Sequence, residues 1–476
     1  MEESMTKVGL DALGTSTPLE SNESLGTTPI VTNGHGSDAA ALEAAFRAWA
    51  MEKNVPFGSP DQLSSQQKQL VDEVVGNSRL VGIGESLHGI HEFLRVRKAI
   101  VEYLLKERDF AIVIMETGFP EALGLTGYVS GTAHKVPQMY EKTLTWGMGF
   151  YQELIDIIEW IRKYNETRSH PVQFYGLDPA GGNGNLLPAF DRLIGLLGTQ
   201  DPDYASKLAH RMRPLLTKLK TKRYFGHIDD IFKKFEKLTE SERTQLLTWA
   251  DELVRKADGY QQTLDTCAGN LISMLARNIS GALLWAERNL NDKLPASDPK
   301  RKNLTYTRDR NMAENVIEIL EKMHPGARAI VLAHNLHLQK TVSSVSGEGL
   351  MGTYLFPYYQ NDYKVFATTF DQGRVRSPLL PIFPVRAGMA SKQFFDGVLS
   401  GVGNSNMMLN LGLDKPAPVE AFLNQPFGFR LSHRDSILID AVPAQSFDAV
   451  IRFTKISPAK FNFSLWAWLK YHLNIE

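Results

Sequence analysis

The chain is almost without cysteine, with Cys267 the single thiol in 476 residues. One thiol excludes an internal disulfide framework and any cysteine-rich zinc or iron–sulfur centre. Inside a helical run, Cys267 is expected as a small core residue rather than a nucleophile. An excess of charge is missing as well: 52 Lys and Arg stand against 53 Asp and Glu, a formal net charge of -1. With no basic field to hold a phosphate backbone, nucleic-acid binding is not expected. No run of about 18 apolar residues occurs, so no membrane partner or span is expected. The Met-Glu-Glu start lacks the basic segment and apolar stretch of a signal peptide. Together these absences lead to an expectation of a cytoplasmic chain. There is no Gly-x-Ser-x-Gly elbow for a nucleophilic serine and no Gly-Lys-Ser/Thr phosphate loop. His91-Glu92 is followed by Arg95 where a zincin needs histidine. Gly82-Ile-Gly84 opens like a dinucleotide fingerprint, but Leu87 occupies the third glycine position.

What is present is enough apolar material, 43% of residues, to bury a sizeable core at this length. Length alone suggests roughly three domains. Residues 1–37, rich in Ser, Thr, Gly and Asn, are expected as a disordered leader. From Asp38 onward Leu42, Ala45, Phe46 and Trp49 follow helix spacing. Short apolar runs then alternate with helical segments. They begin with Arg79–Ile83, Phe110–Met115 and Val172–Gly176, and continue with Ala327–Leu332 and Lys364–Thr369. This alternation predicts an α/β fold: a mostly parallel central sheet flanked by helices. Residues 186–325 carry helical periodicity and no convincing strand. They read as a large all-helical insertion, between a first catalytic part at 38–185 and a second at 326–476. Residues 390–476 look loop-rich, with one strand candidate, Phe447–Phe453, expected to finish the sheet edge.

The residues that follow the runs carry the chemistry. Gly84-Glu85-Ser86-Leu87-His88-Gly89 follows the first, Glu116 the second, Asp178 the third, and His334-Asn335-Leu336-His337 the fourth. The carboxyl ends of parallel strands line the ligand crevice of an open α/β sheet, so these groups are expected in one cleft. Trp146 with Met148 is a candidate contact for an apolar ligand.

The run GIGESLHGIHEFLRVRKAIVEYLLKERDFAIVIMETGF, from Gly82 to Phe119, resembles the opening of the erythromycin esterase family. The resemblance continues at Trp160–Asn165, Phe174–Asp178, Arg308-Asp-Arg-Asn-Met312, Val331-Leu-Ala-His334-Asn-Leu-His337 and Phe447-Asp-Ala-Val450. It implies hydrolysis of a lactone ester by activated water, without a covalent serine intermediate. By the same resemblance His88 is the general base, and Glu116 orients its imidazole. Arg97 pairs a carboxylate or polarises the carbonyl, and His334 stabilises the oxyanion or protonates the leaving alkoxide. Glu85, His337, Asp178 and Arg95 stand behind them. The expected partner is a bulky, largely neutral or apolar small molecule, with the helical insertion as lid or wall over the cleft. No cofactor is expected. Two alternatives stay open. One is a biosynthetic enzyme catalysing acyl transfer, cyclisation or elimination; the other is a metal-dependent hydrolase with a divalent ion on Glu85, His88, Glu116, His334 and His337.

Overall fold

A computed structural model describes residues 36–462, apart from 134–139, 223–225, 264–265, 302–306, 343–348, 378–379, 431–437 and positions 296, 300 and 393. The expected leader thus lies outside the described residues up to 35. The first helix, α1 (Gly36–Lys53), starts two residues ahead of Asp38.

Eleven strands are described: β1 (Val55–Phe57), β2 (Leu80–Glu85), β3 (Ile112–Gly118), β4 (Gln173–Asp178), β5 (Ala329–His334), β6 (Tyr363–Ser377), β7 (Leu380–Ala387), β8 (Asn406–Asn410), β9 (Phe427–Arg430), β10 (Leu438–Ala441) and β11 (Ala449–Ile456). The main sheet has the order β1-β8-β11-β6-β2-β5-β3-β4, with β7 paired to β6, while β9 and β10 form a separate hairpin. Strands β11, β6, β2, β5, β3 and β4 are mutually parallel. The continuous apolar runs are central strands: every residue of β2, β3 and β5 is buried, as a sheet covered on both faces requires.

Alternation along the strands divides the core in two. Ile112, Ile114, Leu177 and Val331 face one apolar cluster, while Val113, Met115, Ile330 and Leu332 face the other. The second face is covered by α2 (Ser65–Val75), α3 (His91–Glu107) and α5 (Gln152–Asn165), with α4 (Phe119–Ser130) contributing to both faces. The first is covered largely by α6 (Leu187–Gln200), α7 (Pro202–Leu219), α8 (Ile228–Glu236), α9 (Glu240–Thr263), α10 (Thr266–Asn291) and α11 (Arg308–Glu318). The helical segment therefore shares the core of the sheet.

Three expectations change. The 447–453 candidate does not finish the edge: β11 lies inside the sheet, between β8 and β6. The edge strand on that side is β1, three residues paired antiparallel to β8. Neither β1 nor the Met-rich β8 shows β-branched alternation, so tertiary pairing makes strands that local preference does not announce. β6 runs on to Ser377, well past its apolar part, because β7 and β11 pair with its polar second half. Cys267 is exposed rather than in the core. Among the described residues no helix is long and apolar enough to cross a membrane.

Candidate active site

Strands β2 and β5 end in register, with Glu85 opposite His334. Beyond Glu85 the chain turns through Gly89, which sits at φ +73° with the Tyr151 ring where a side chain would be. Glycine alone fits this turn without strain, and the turn folds His88 back onto the strand end. His88 Nδ1 lies 2.8 Å from Glu85 Oε1. From α3, the buried Arg97 reaches under the same carboxylate. Its Nη1 pairs with Glu85 at 2.8 Å, and its Nη2 donates to the Ala333 carbonyl. Burial works against the charge on Glu85, yet Arg97 and then His88 outweigh it and lower the carboxyl pKa. Burial also opposes protonation of His88, but Glu85 and the more distant Glu116 raise its pKa above the ordinary 6.5. The imidazole remains 29% exposed, and Nε2 stands 4.0 Å from Glu116 Oε1. Glu85 Oε2 and Ser86 Oγ are buried with no partner among the described residues, capacity that a polar ligand atom can use.

The ends of β3, β4 and β5 supply a second group around Arg308. This guanidinium donates from Nε to Asp178 Oδ1 at 2.6 Å and from Nη2 to both Asp178 Oδ2 and Glu116 Oε1 at 2.9 Å. Its face lies 4.9 Å from the Trp146 ring centre and 5.8 Å from that of Trp285. Trp146 donates from Nε1 to Asp178 Oδ2 at 2.8 Å and sits at φ +61°, a conformation that bulky residues keep only where surrounding contacts demand it. His337 is held between Asp309, 2.6 Å from Nδ1, and Glu116, 3.3 Å from Nε2; Arg308 Nη1 approaches the same Nε2 to 3.0 Å. Burial resists a charge on His337, but Asp309 and then Glu116 prevail and raise its pKa to about 10. The same contacts, led after burial by His337, hold Glu116 well below the usual carboxylate range. Four carboxylates (Glu85, Glu116, Asp178, Asp309) stand against two guanidiniums, and the protonated His337 makes up one of the two missing positive charges.

The structure brings His88, Glu85, Glu116, Arg97, His334, His337 and Asp178 together, with Trp146 at their edge. Their geometry redistributes the expected tasks. Glu85, not Glu116, holds the His88 imidazole. Arg97 is buried beneath Glu85, so it braces the carboxylate and does not face the cleft. His334 has both ring nitrogens engaged, with Nδ1 accepting from Leu336 N–H at 3.1 Å and Nε2 2.8 Å from the Ser86 carbonyl. Burial, then the neighbouring His88, lowers its pKa to about 3, so the ring is neutral, with its proton on Nε2. Its backbone N–H donates to Glu116 Oε2 at 2.8 Å. Two residues fall outside the cluster. Arg95 points to the outer side of α3, against Asp61 and Asp156, because it is two residues from Arg97 and so faces a different side. Met148 is buried in the apolar core on the α3 and α5 side.

Sequence reasoning assigned no role to Arg308, Asp309 or Trp285. One signal was available for Arg308. It lies in the first turn of α11, after the Thr307 cap, where the helix dipole disfavours a cation; carboxylates from other elements hold it there. As for metals, no group of three or more His, Cys, Asp and Glu is gathered to hold an ion among the described residues. Glu85 pairs with Arg97 and His88, Glu116 with Arg308 and His337, and His334 with backbone groups.

Fold and site together define an α/β protein whose parallel strand ends present a carboxylate-held imidazole beside a guanidinium–imidazolium group. The profile of the erythromycin esterase family matches residues 105–456. The chain belongs to the erythromycin esterase family, and its coarse function is that of a hydrolase of this esterase family. It is 22% identical over 448 residues to an Escherichia coli protein, erythromycin esterase type II, covering 87% of this chain and 98% of that one. Erythromycin esterase type I of Escherichia coli is 25% identical over 309 residues, 61% of this chain and 69% of that protein. A Bacillus cereus crystal structure shares the fold, with a TM-score of 0.72, 20% identity, and coverage of 88% of this chain and 99% of the other. So does an erythromycin esterase mutant in its open conformation, with a TM-score of 0.65, 19% identity, and 84% and 96% coverage.

Proposed function

We propose that the protein hydrolyses an ester or lactone of a bulky, largely neutral natural product, as a macrolide is, with His88 as general base for an attacking water. One observation carries this reading: His88 has Nδ1 fixed by Glu85, while Nε2 makes no hydrogen bond among the described residues and is open toward Glu116. An imidazole with one nitrogen anchored and the other free takes a proton from water in a defined direction. Nδ1 donates to Glu85, which strengthens Nε2 as a base and stabilises the imidazolium formed after proton transfer. The developing oxyanion needs a positive group in a site of low dielectric. Arg308, 17% exposed, and the protonated His337 meet that need better than Arg97, 2% exposed beneath Glu85, and the neutral His334. His337 can also return a proton to the leaving alkoxide. Arg97 and His334 are then positioning residues, one for Glu85 and one for the turn carrying Ser86. The apolar ring faces of Trp146 and Trp285 beside Arg308 suit a bulky substrate, with the helices of 186–325 as the wall that carries Trp285.

The experiment is incubation with erythromycin and with simpler lactones and carboxylic esters, followed by mass spectrometry. A gain of one water in wild-type protein, abolished in His88→Ala with an unchanged melting curve, is the expected result. Full activity in His88→Ala removes the base assignment. If no ester or lactone gains water, the hydrolytic reading fails.

A further inference from the structure

The second half of β6 runs beyond the end of β2, paired with β7 on one side and β11 on the other. These strands wall a cavity of about 560 Å³ lined by Gln372, Gly373, Arg374, Arg386 and Lys455. Arg374 and Arg386 are direct partners across the antiparallel pair. Lys455 is the neighbour of Gln372 in the parallel pair. Residues two apart on a strand share a face, so the three cationic side chains stand on one side of the ribbon. All three are exposed. Among the described residues none has a carboxylate partner; Arg374 Nη2 donates only to the neutral Pro384 carbonyl, at 3.3 Å.

Exposed Arg211, Arg213 and Arg255 are each matched by an acid, Glu252, Asp191 and Asp251, whereas here three unmatched cations line one cavity. Like charges directly opposite each other weaken a sheet pair, and an anion seated between them turns that repulsion into attraction. Gly373 lines the cavity between the cations. A side chain there would strike the Ile456 carbonyl oxygen, so the pocket lining at this point is bare backbone.

The chemistry narrows the ligand. A guanidinium presents a planar fork matched to two oxygens of one oxyanion, and an ammonium adds a point charge. Three cations with no acid call for a group carrying close to two negative charges. The volume lies within the range of small-molecule pockets, and three cations around one cavity suit a single phosphate group rather than the backbone of an extended polyanion. We infer that this cavity binds the phosphate group of a small molecule, either inorganic phosphate or a phosphate monoester, at a place separate from the His88 cluster.

The test is calorimetric titration of the full chain with inorganic phosphate, and in a second arm with phenyl phosphate, at low and at raised salt. Saturable one-to-one binding that weakens with salt is expected. It falls by roughly tenfold or more in the double variant Arg374→Gln/Arg386→Gln and is unchanged in Arg255→Gln. Both double-variant side chains are exposed, and its melting curve and ester hydrolysis should match wild type. Tighter binding of phenyl phosphate supports the site with a phosphorylated small molecule as its ligand; equal binding supports it with free phosphate. Absence of saturable binding in wild-type protein overturns the proposal, as does equal binding by the double variant.

Discussion

At the scale of single residues, the behaviour of His88 is set by what Glu85 does to it. Glu85 raises the imidazole pKa against the burial that would lower it. Removing that charge in Glu85→Gln therefore lowers the pKa, and the alkaline-rising limb of kcat/KM should move to lower pH. The plateau should drop by about 100-fold or more, since an unheld imidazole loses its orientation. A limb that stays in place in this variant would falsify the pairing of Glu85 with His88. The same substitution leaves the Arg97 guanidinium without its buried partner, a loss of about 3–5 kcal/mol for a broken buried pair, to be read by denaturant unfolding. Arg308 makes two hydrogen bonds to Asp178 and one to Glu116 through a planar fork. Lysine is a point charge and cannot reproduce them, so Arg308→Lys should lower kcat/KM by roughly 100-fold. Arg95→Lys, on the outer side of α3, should leave kcat/KM at the wild-type value in the same assay.

At the scale of elements, the short segment after β11 ties the turn that follows His88 to the helices beside it. Ala459 N–H donates to the Gly89 carbonyl, His91 N–H to Ser457, Gln152 N–H to Lys460, and Asn462 N–H to Phe150. Two carboxylates fasten the strap from the helix side. Glu92 accepts from Ser457 N–H and Oγ at 2.7 and 2.6 Å, and Glu153 accepts from Lys460 N–H at 3.0 Å and meets His91 Nδ1 at 2.6 Å. The hydrogen bond that His91 donates to Glu153 raises the His91 pKa. Glu153→Gln should cost about 1.5–3 kcal/mol, the usual worth of a hydrogen bond to a charged group. Amide exchange should quicken at Ala459 and Lys460 and stay slow in β2 and β5. Uniform quickening across the sheet would mean that the segment unfolds only with the whole domain.

At the scale of the whole molecule, two histidines of one short turn titrate in opposite senses. His334 stays neutral in the folded chain down to about 3, whereas the unfolded residue takes its proton near 6.5. Its contribution is present above 6.5 and is lost as pH falls toward 3, because the unfolded chain then binds the extra proton. His337 keeps its proton up to about 10. Its contribution is full below 6.5 and is lost as pH rises through that range to about 10. Stability measured by thermal melting should therefore decline on both sides of near-neutral pH. His337→Asn should flatten the alkaline decline and leave the acid decline in place. An alkaline limb that persists unchanged in this variant removes His337 as its source.

The sequence by itself determined the sheet and the ends of its central strands. Continuous apolar runs can only be buried strands here, and the groups that follow them, Glu85, His88, Glu116, Asp178 and His334, are carried to one cleft by parallel topology. Only the tertiary structure decided what each group does there. Whether Glu85 or Glu116 holds His88, and whether Arg97 braces a carboxylate or faces the cleft, depends on distances across strands that no spacing along the chain encodes. Arg308 and Asp309 reach the site from a helix start more than a hundred residues beyond Asp178, because charge pairing acts through space. For the same reason β1 and β8 became strands without a sequence signal: edge pairing is set by the neighbouring strand, while the apolar runs of the centre carry their burial in their own side chains.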